Sequence, residues 1–265
     1  MRIEACAVNH KGLVRLNNED NFYLSGNFIA KELVDQPSCL TKLLTDQSPV
    51  IAAVCDGVGG AQAGEVAAYT VVSALGALMS GFNPVHETEK ITSALRRASQ
   101  RIASLRQNDN ESMGATIVMA CIQGERLLIT NVGDSRAYLM RSGKLYQLSE
   151  DHSEVQRLYN MGIITREEMA THPRRHVITQ YLGLPETELL IDPAYSEVIG
   201  MQPGDRVLLC SDGVTDMLSD EDIAQILQDV PDCEAAAQTL VTGALQNGGK
   251  DNTTALLLQV LQENE

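Results

Sequence analysis

Five short stretches place carboxylates where an apolar run meets a turn. Pro49 to Cys55 is apolar and leads into Asp56-Gly57-Val58-Gly59-Gly60. Val132-Gly133-Asp134-Ser135-Arg136 follows the run 126–131, and Cys210-Ser211-Asp212-Gly213-Val214-Thr215-Asp216 follows 206–210. Gly249-Lys250-Asp251-Asn252 precedes the last apolar run, and Glu19-Asp20 closes a polar loop before 21–24. Strand ends in a folded sheet converge on one edge, where they can build a shared site. Carboxylates crowded together repel unless cations neutralise them, and all-oxygen ligation favours Mg2+ or Mn2+ over Zn2+. The glycines after Asp56 let the backbone approach whatever it holds and free the Gly57 carbonyl as a further ligand. A strand ending in Asp-Gly is by itself most often a turn, so the argument rests on the set.

Other chemistries fail on spacing. A cysteine-based phosphatase needs Arg six positions after its Cys; after Cys55 that position is Ala61, and the other cysteines lack the Arg too. Gly133-Asp134-Ser135-Arg136-Ala137 lacks the second glycine of a nucleophile elbow. The glycine-rich 57–64 is followed by no Lys-Ser/Thr, so it is no P-loop. His172 and His176 have metal-pair spacing, but Pro173 opposes the helix that would align them.

The elements that must position the carboxylates are legible as periodicity. Residues 2–8 and 21–24 read as strands, with the polar loop 11–20 between them. Residues 25–48 read as an irregular surface insertion. The stretch 61–80 reads as a buried helix, and 86–107 as an amphipathic one with Ile91, Leu95, Ala98, Ile102 and Leu105 on one face. Strands dominate 114–148, with Ser142-Gly143 as a hairpin turn between 135–141 and 144–148. Residues 151–182 look helical, then loop-like, and 206–211 is a strand. Ser219-Asp220-Glu221-Asp222 opens a helix over 220–228, another covers 233–246 up to Gly248-Gly249, and 253–261 is a last strand. With no repeat and no linker, the pattern is a single α+β domain.

Composition narrows the partners. The 265 residues suffice for a sizeable core, with 44% hydrophobic and 21% charged residues. A net charge of −15 argues against an unaided nucleic-acid binder or a binder of anionic membranes. Six scattered cysteines without a C-x-x-C pair suit reduced thiols in a cytoplasmic setting. No signal peptide is apparent, and the apolar stretch 66–79 is too short and too broken to span a membrane.

Six motifs then stand in one order: Gly12-x-x-Arg15-x-x-Asn18-Glu19-Asp20, Asp56-Gly57-x-Gly59-Gly60, Met113-Gly114-Ala115-Thr116, Gly133-Asp134-Ser135-Arg136, Ser211-Asp212-Gly213-x-x-Asp216 and Asp251-Asn252. In this the sequence resembles the type 2C (PPM) metal-dependent serine/threonine protein phosphatases, above all their bacterial branch, over residues 5–260. The resemblance implies two packed antiparallel β-sheets flanked by helices, a four-layer αββα sandwich, as one domain over 1–265. It implies that Asp56 bridges two Mn2+ or Mg2+ ions with the Gly57 carbonyl on one, while Asp212 and Asp251 hold the other. Glu19 and Asp20 then orient water on the ions, and Asp134 and Asp216 match a weaker third metal position. Arg15 matches the phosphate-gripping arginine, whose planar fork fits two phosphate oxygens.

The implied reaction is hydrolysis of phosphoserine and phosphothreonine in proteins by a hydroxide bridging the metals, reversing a bacterial Ser/Thr kinase. The enzyme is expected to be a cytoplasmic monomer whose partners are phosphoproteins and a cognate kinase. Residues 150–182 match the family's flap. Val58 stands where many eukaryotic relatives carry His, so protonation of the leaving alcohol falls by default to water. The competing reading is a catalytically silent relative that binds metal or partners; an intact Asp56, Asp212 and Asp251 argue against it.

Overall fold

In the computed structural model, residues 1–45, 48–59, 63–79, 86–106, 113–184 and 190–262 are described. Gly60 and the edges of the helix expected over 61–80 lie outside them.

The chain opens with strands β1 (Arg2–His10), β2 (Asn21–Leu24), β3 (Asn27–Phe28), β4 (Ser38–Thr45), β5 (Val50–Cys55) and β6 (Gly57–Gly59). Helices α1 (Ala63–Leu75) and α2 (Thr88–Leu105) follow, then strands β7 (Met113–Ala115), β8 (Ile117–Gln123), β9 (Arg126–Val132), β10 (Arg136–Arg141) and β11 (Lys144–Gln147). Short helices α3 (Glu154–Asn160) and α4 (Arg166–Thr171) lead to β12 (Ala194–Tyr195), β13 (Ile199–Gly200) and β14 (Arg206–Cys210). Helices α5 (Asp212–Thr215), α6 (Asp220–Asp229) and α7 (Cys233–Gln246) precede the final strand β15 (Thr253–Val260).

Two large antiparallel sheets and a two-stranded one, β6-β7, form among the described residues. One runs β11-β10-β14-β15-β1-β4; the other runs β12-β9-β8-β5-β2-β3, with β13 also on β9. The two-residue period divides each strand between layers. Ala5 and Ala7 of β1, Ala52 and Val54 of β5, and Leu256 and Leu258 of β15 fill the space between the sheets. Their neighbours face helices: Ile51, Ala53 and Cys55 meet α1, while Cys6, Ala255 and Leu257 meet α7. Both faces of β5 are therefore covered, which is why its sequence is apolar without alternation. The layers are helix, sheet, sheet, helix. Truncating a fully buried leucine such as Leu257 is expected to cost about 2–5 kcal/mol.

Two expectations change. Residues 25–48 are no surface excursion, because β4 pairs with β1 along its whole length and forms the outer strand of the first sheet. The glycine turn after Asp56 is a short strand: Gly57, Val58 and Gly59 pair with Ala115, Gly114 and Met113. A Cβ on Gly57 would collide with the carbonyl of Gly64, so glycine is demanded there by close packing rather than by a turn. The hairpin at Ser142-Gly143 and the helix opened by Ser219 are present as expected.

Register explains where the acidic residues gather. Asn21, next to Asp20, pairs with Cys55, next to Asp56. His10 pairs with Thr253, Ala255 with Cys210, and Cys210 with Arg136. The ends of β2, β5, β14 and β15 that carry Asp20, Asp56, Asp212 and Asp251 thus face one rim of the stacked sheets.

Candidate metal centre

Asp56 is fixed through its backbone. Its N–H donates to Thr116 Oγ1 at 3.1 Å, and its carbonyl accepts from the Thr116 N–H at 2.8 Å. Thr116 Oγ1 in turn lies 2.7 Å from Ser135 Oγ, beside Asp134. The Gly57 N–H donates to the Glu19 carbonyl at 3.1 Å, which places Glu19 against the strand that follows Asp56.

Asp20 is buried and belongs to a tight polar floor. Its Oδ2 accepts from Ser211 Oγ at 2.7 Å and Thr254 Oγ1 at 2.6 Å, while its Oδ1 has no partner. Burial, with Asp251 and Glu19 nearby, pushes its carboxyl up to about 7. Asn18 and Asn252 hold the arm that brings Glu19 and Asp20 in. Asn18 Nδ2 donates to Asn9 Oδ1 and the Val34 carbonyl, and the Glu19 N–H donates to Asn252 Oδ1 at 2.8 Å. Asn252 Nδ2 also donates to the carbonyls of Lys11 and Asn17.

Asp212 opens α5, and its Oδ1 is buried without a hydrogen-bond partner. Asp56 and Asp212 each keep an edge toward solvent but are walled in on the other sides. Burial comes first in raising both carboxyls well above the usual range. Repulsion adds to it: Asp20, Asp212, Asp134 and Asp251 act on Asp56, while Asp134, Asp251, Asp216 and Asp20 act on Asp212. Asp134 is pushed up to about 6 by burial and by Asp151. These groups strain against one another, and a divalent cation relieves that strain by favouring the ionised forms.

The donor set is convergent but open. Among the described residues no three His, Cys, Asp or Glu side chains already form a closed metal cage. Asp251 has both oxygens engaged, accepting from Arg15 Nη2 at 2.5 Å through Oδ2 and from the Asn252 N–H at 2.8 Å through Oδ1. The orphaned Asp212 oxygen, the mutual repulsion and the all-oxygen chemistry nevertheless fit a hard divalent ion.

Arg15 lies on an exposed loop, with 52% of its side chain open to solvent. Asp216 is also exposed, and its Oδ2 stands 3.5 Å from His176 Nδ1 on the segment after α4. A cleft of about 990 Å³ runs from Asp212 and Asp216 outward between β10–β11 and the segment 150–176, past Tyr138, Tyr159 and Arg166. Arg136 forks onto Asp151 along its wall at 2.6 to 3.1 Å. The roles of Thr116, Asn252 and the Arg136–Asp151 pair were not assigned from sequence. Their signal lay in motifs quoted only as landmarks, since a side chain that braces another residue has no spacing of its own.

The model of the protein phosphatase 2C family matches residues 29–247. The chain belongs to that family. PstP, a serine/threonine protein phosphatase of Mycobacterium tuberculosis, is 35% identical over 253 residues, 95% of this chain. The chain spans 44% of that relative's length. The solved serine/threonine phosphatase of S. agalactiae superposes with a TM-score of 0.83 at 30% identity, over 97% of this chain and 99% of that one. The catalytic domain of PstP, solved with 2 manganese ions, superposes at 0.77 with 32% identity, over 99% and 100%. The family and the layered antiparallel fold read from the six motifs are thereby established.

Proposed function

We propose that the chain is a divalent-cation-dependent phosphatase that removes phosphate from phosphoserine and phosphothreonine in proteins, opposing a bacterial Ser/Thr kinase in the cytoplasm. The observation that carries this is the convergence of Asp56, Asp212, Asp134 and Asp20 beneath Arg15, with a buried Asp212 oxygen unpartnered. Family membership and the manganese-containing relative support it.

Asp56, with the Gly57 carbonyl, and Asp212 with Asp251 would hold two Mn2+ or Mg2+ ions. Bound there, the ions supply Lewis acidity, a nucleophilic oxygen at neutral pH and a clamp on the phosphoryl group. The residues of the chain do the rest. Asp20, fixed by Ser211 and Thr254, and Glu19, fixed by Asn252, present carboxylate oxygens that orient water. Arg15 leaves Asp251 and turns its guanidinium to two phosphate oxygens. Val58 has no proton to give, so the leaving alkoxide takes one from water. The cleft beside segment 150–176 receives the polypeptide around the phosphorylated residue.

Hydrolysis of a phosphothreonyl peptide with Mn2+, and its reversible loss in EDTA, tests the reading. Undiminished turnover in metal-free buffer overturns the cation dependence. Tight Mn2+ binding without turnover indicates a silent metal-binding relative.

A further inference from the structure

Two thiols outside the metal centre lie close together. Cys6 on β1 and Cys39 on β4 bring their sulfurs to 3.7 Å. Register pairs Cys6 with Thr41 and Val8 with Cys39, so the two cysteines are diagonal neighbours across one antiparallel strand pair. Both are on the α7 side: Cys6 packs into the core beneath that helix, and the Gln238 amide reaches the Cys39 sulfur at 3.7 Å. All six cysteines are free thiols. Among the described residues no other two sulfurs approach so closely; Cys233, also near Cys6, points its Sγ at the carbonyls of Glu4 and Leu257.

The two differ in access. Cys39 is exposed, whereas Cys6 is fully buried. An accessible thiol backed by a sheltered partner is the arrangement in which a sulfenic acid is captured as a disulfide before it is oxidised further. We propose that Cys39 and Cys6 form a hydroperoxide-reactive dithiol that closes into a disulfide across β1 and β4.

The step balances with hydrogen peroxide as oxidant. Cys39 sulfur attacks one peroxide oxygen, the O–O bond breaks, and the thiol proton leaves with the other oxygen as water. Cys6 sulfur then attacks the Cys39 sulfenic acid; the S–O bond breaks and the hydroxyl departs with the Cys6 proton as a second water. Two thiols are oxidised by two electrons in total, and one peroxide is reduced to two waters. Burial holds the Cys6 thiol up at about 12, so peroxide meets Cys39 first.

The sulfurs must close by about 1.7 Å to reach a bond of about 2.05 Å. β4 is the outer strand of its sheet and, among the described residues, has β1 as its one strand partner, so its backbone can shift without breaking a second ladder. The loop so closed contains Arg15, Glu19 and Asp20, which ties oxidation to the arm that reaches the metal centre.

The reduced protein is treated with a few equivalents of hydrogen peroxide, alkylated and digested without reduction. The expected result is a peptide pair joining residues 6 and 39, an intact mass lower by two hydrogens, and alkylatable thiols falling from six to four (six less two). Cys39→Ser removes the link, while Cys121→Ser keeps it. In Cys6→Ala, which lacks the resolving thiol, a sulfenic acid accumulates on Cys39 and is trapped by dimedone. A link from Cys6 to Cys233, a disulfide between two chains, or Cys39 carried on to sulfinic acid while Cys6 stays alkylatable each overturns the proposal.

Discussion

The centre has a floor and a rim, and they are built differently. On the floor, Asp20, Asp56 and Asp212 sit where strands end, and neighbouring ladders or hydroxyls fix their backbones or carboxylates. On the rim, Arg15 and Asp216 are exposed, Arg15 paired with Asp251 and Asp216 standing beside His176. The floor carries the cost of burying carboxylates, and burial pushes Asp20, Asp56 and Asp212 up; the rim side chains stand in solvent. Cation affinity should therefore depend on the floor, while recognition of the phosphorylated chain depends on the rim.

The largest effect tests the floor. Asp56→Asn or Asp212→Asn keeps volume and shape but removes a ligand charge. Each loses several kcal/mol of transition-state stabilisation, so turnover drops by about a thousandfold or more. Because neutralising a repelled carboxylate also relieves the apo protein, the variants should melt at or above the wild-type temperature without metal. Variants that unfold, or that hydrolyse a phosphopeptide at near wild-type rate, would break the distinction.

Arg15 comes next. Losing one charge-assisted contact to phosphate costs roughly 1.5–3 kcal/mol, so Arg15→Ala should lower kcat/KM about ten- to a hundredfold, chiefly through KM. The structure adds a second expectation. Arg15 Nη2 occupies Asp251 Oδ2, an oxygen proposed above as a cation ligand. Removing the guanidinium removes a competitor, so Mn2+ should bind no more weakly than to wild type and up to several-fold tighter by calorimetry. Weaker Mn2+ binding would move Arg15 from rim to floor.

What the sequence revealed divides along the same line. Apolar runs ending in Asp-Gly located the floor, because burial and the demands of strand ends leave a local signature. The Arg15–Asp251 pair joins an exposed residue to a half-buried one far away in sequence, and no periodicity reports it. β4 was missed although its burial alternates with period two, because Ser38, Thr41, Lys42 and Thr45 dilute the apolar signal on an outer strand. β6 was taken for a turn because glycine disfavours strands; its pairing with β7 overrides that preference.

A pH series sharpens the comparison without mutation. Asp20 and Asp134 are raised to about 7 and about 6, and Asp56 and Asp212 lie well above their usual range. A carboxyl raised by folding favours the protonated native state. Its contribution to stability is complete below the unfolded value near ~3.9 and is lost as pH rises through the folded value. In EDTA, Tm should fall by several degrees between about pH 5 and pH 8, and Mn2+ should restore most at the higher pH. A metal-free Tm that climbs over this interval would show that the floor carboxylates are not the strained groups.

Asp216 offers the smallest and most discriminating effect. It could act only as a helix cap, but α6 is capped by Ser219, whose Oγ accepts from the Asp222 N–H at 3.1 Å while Asp222 Oδ2 accepts from the Ser219 N–H. The Asp216 carboxylate instead stands exposed beside His176, and its backbone N–H donates to the Asp212 carbonyl at 2.7 Å. Removing an exposed carboxylate with no cap to lose should change stability by less than about 0.5 kcal/mol. If Asp216 and Asp134 together hold a weaker outer cation, Asp216→Ala leaves the inner ions in place and abolishes a weak binding event in a Mn2+ titration. Turnover of phosphopeptides should then fall several-fold at high Mn2+, with hydrolysis of a small aryl phosphate less affected. An undiminished weak event with Tm lowered by several degrees would instead make Asp216 a structural residue, and the rim would lose its cation.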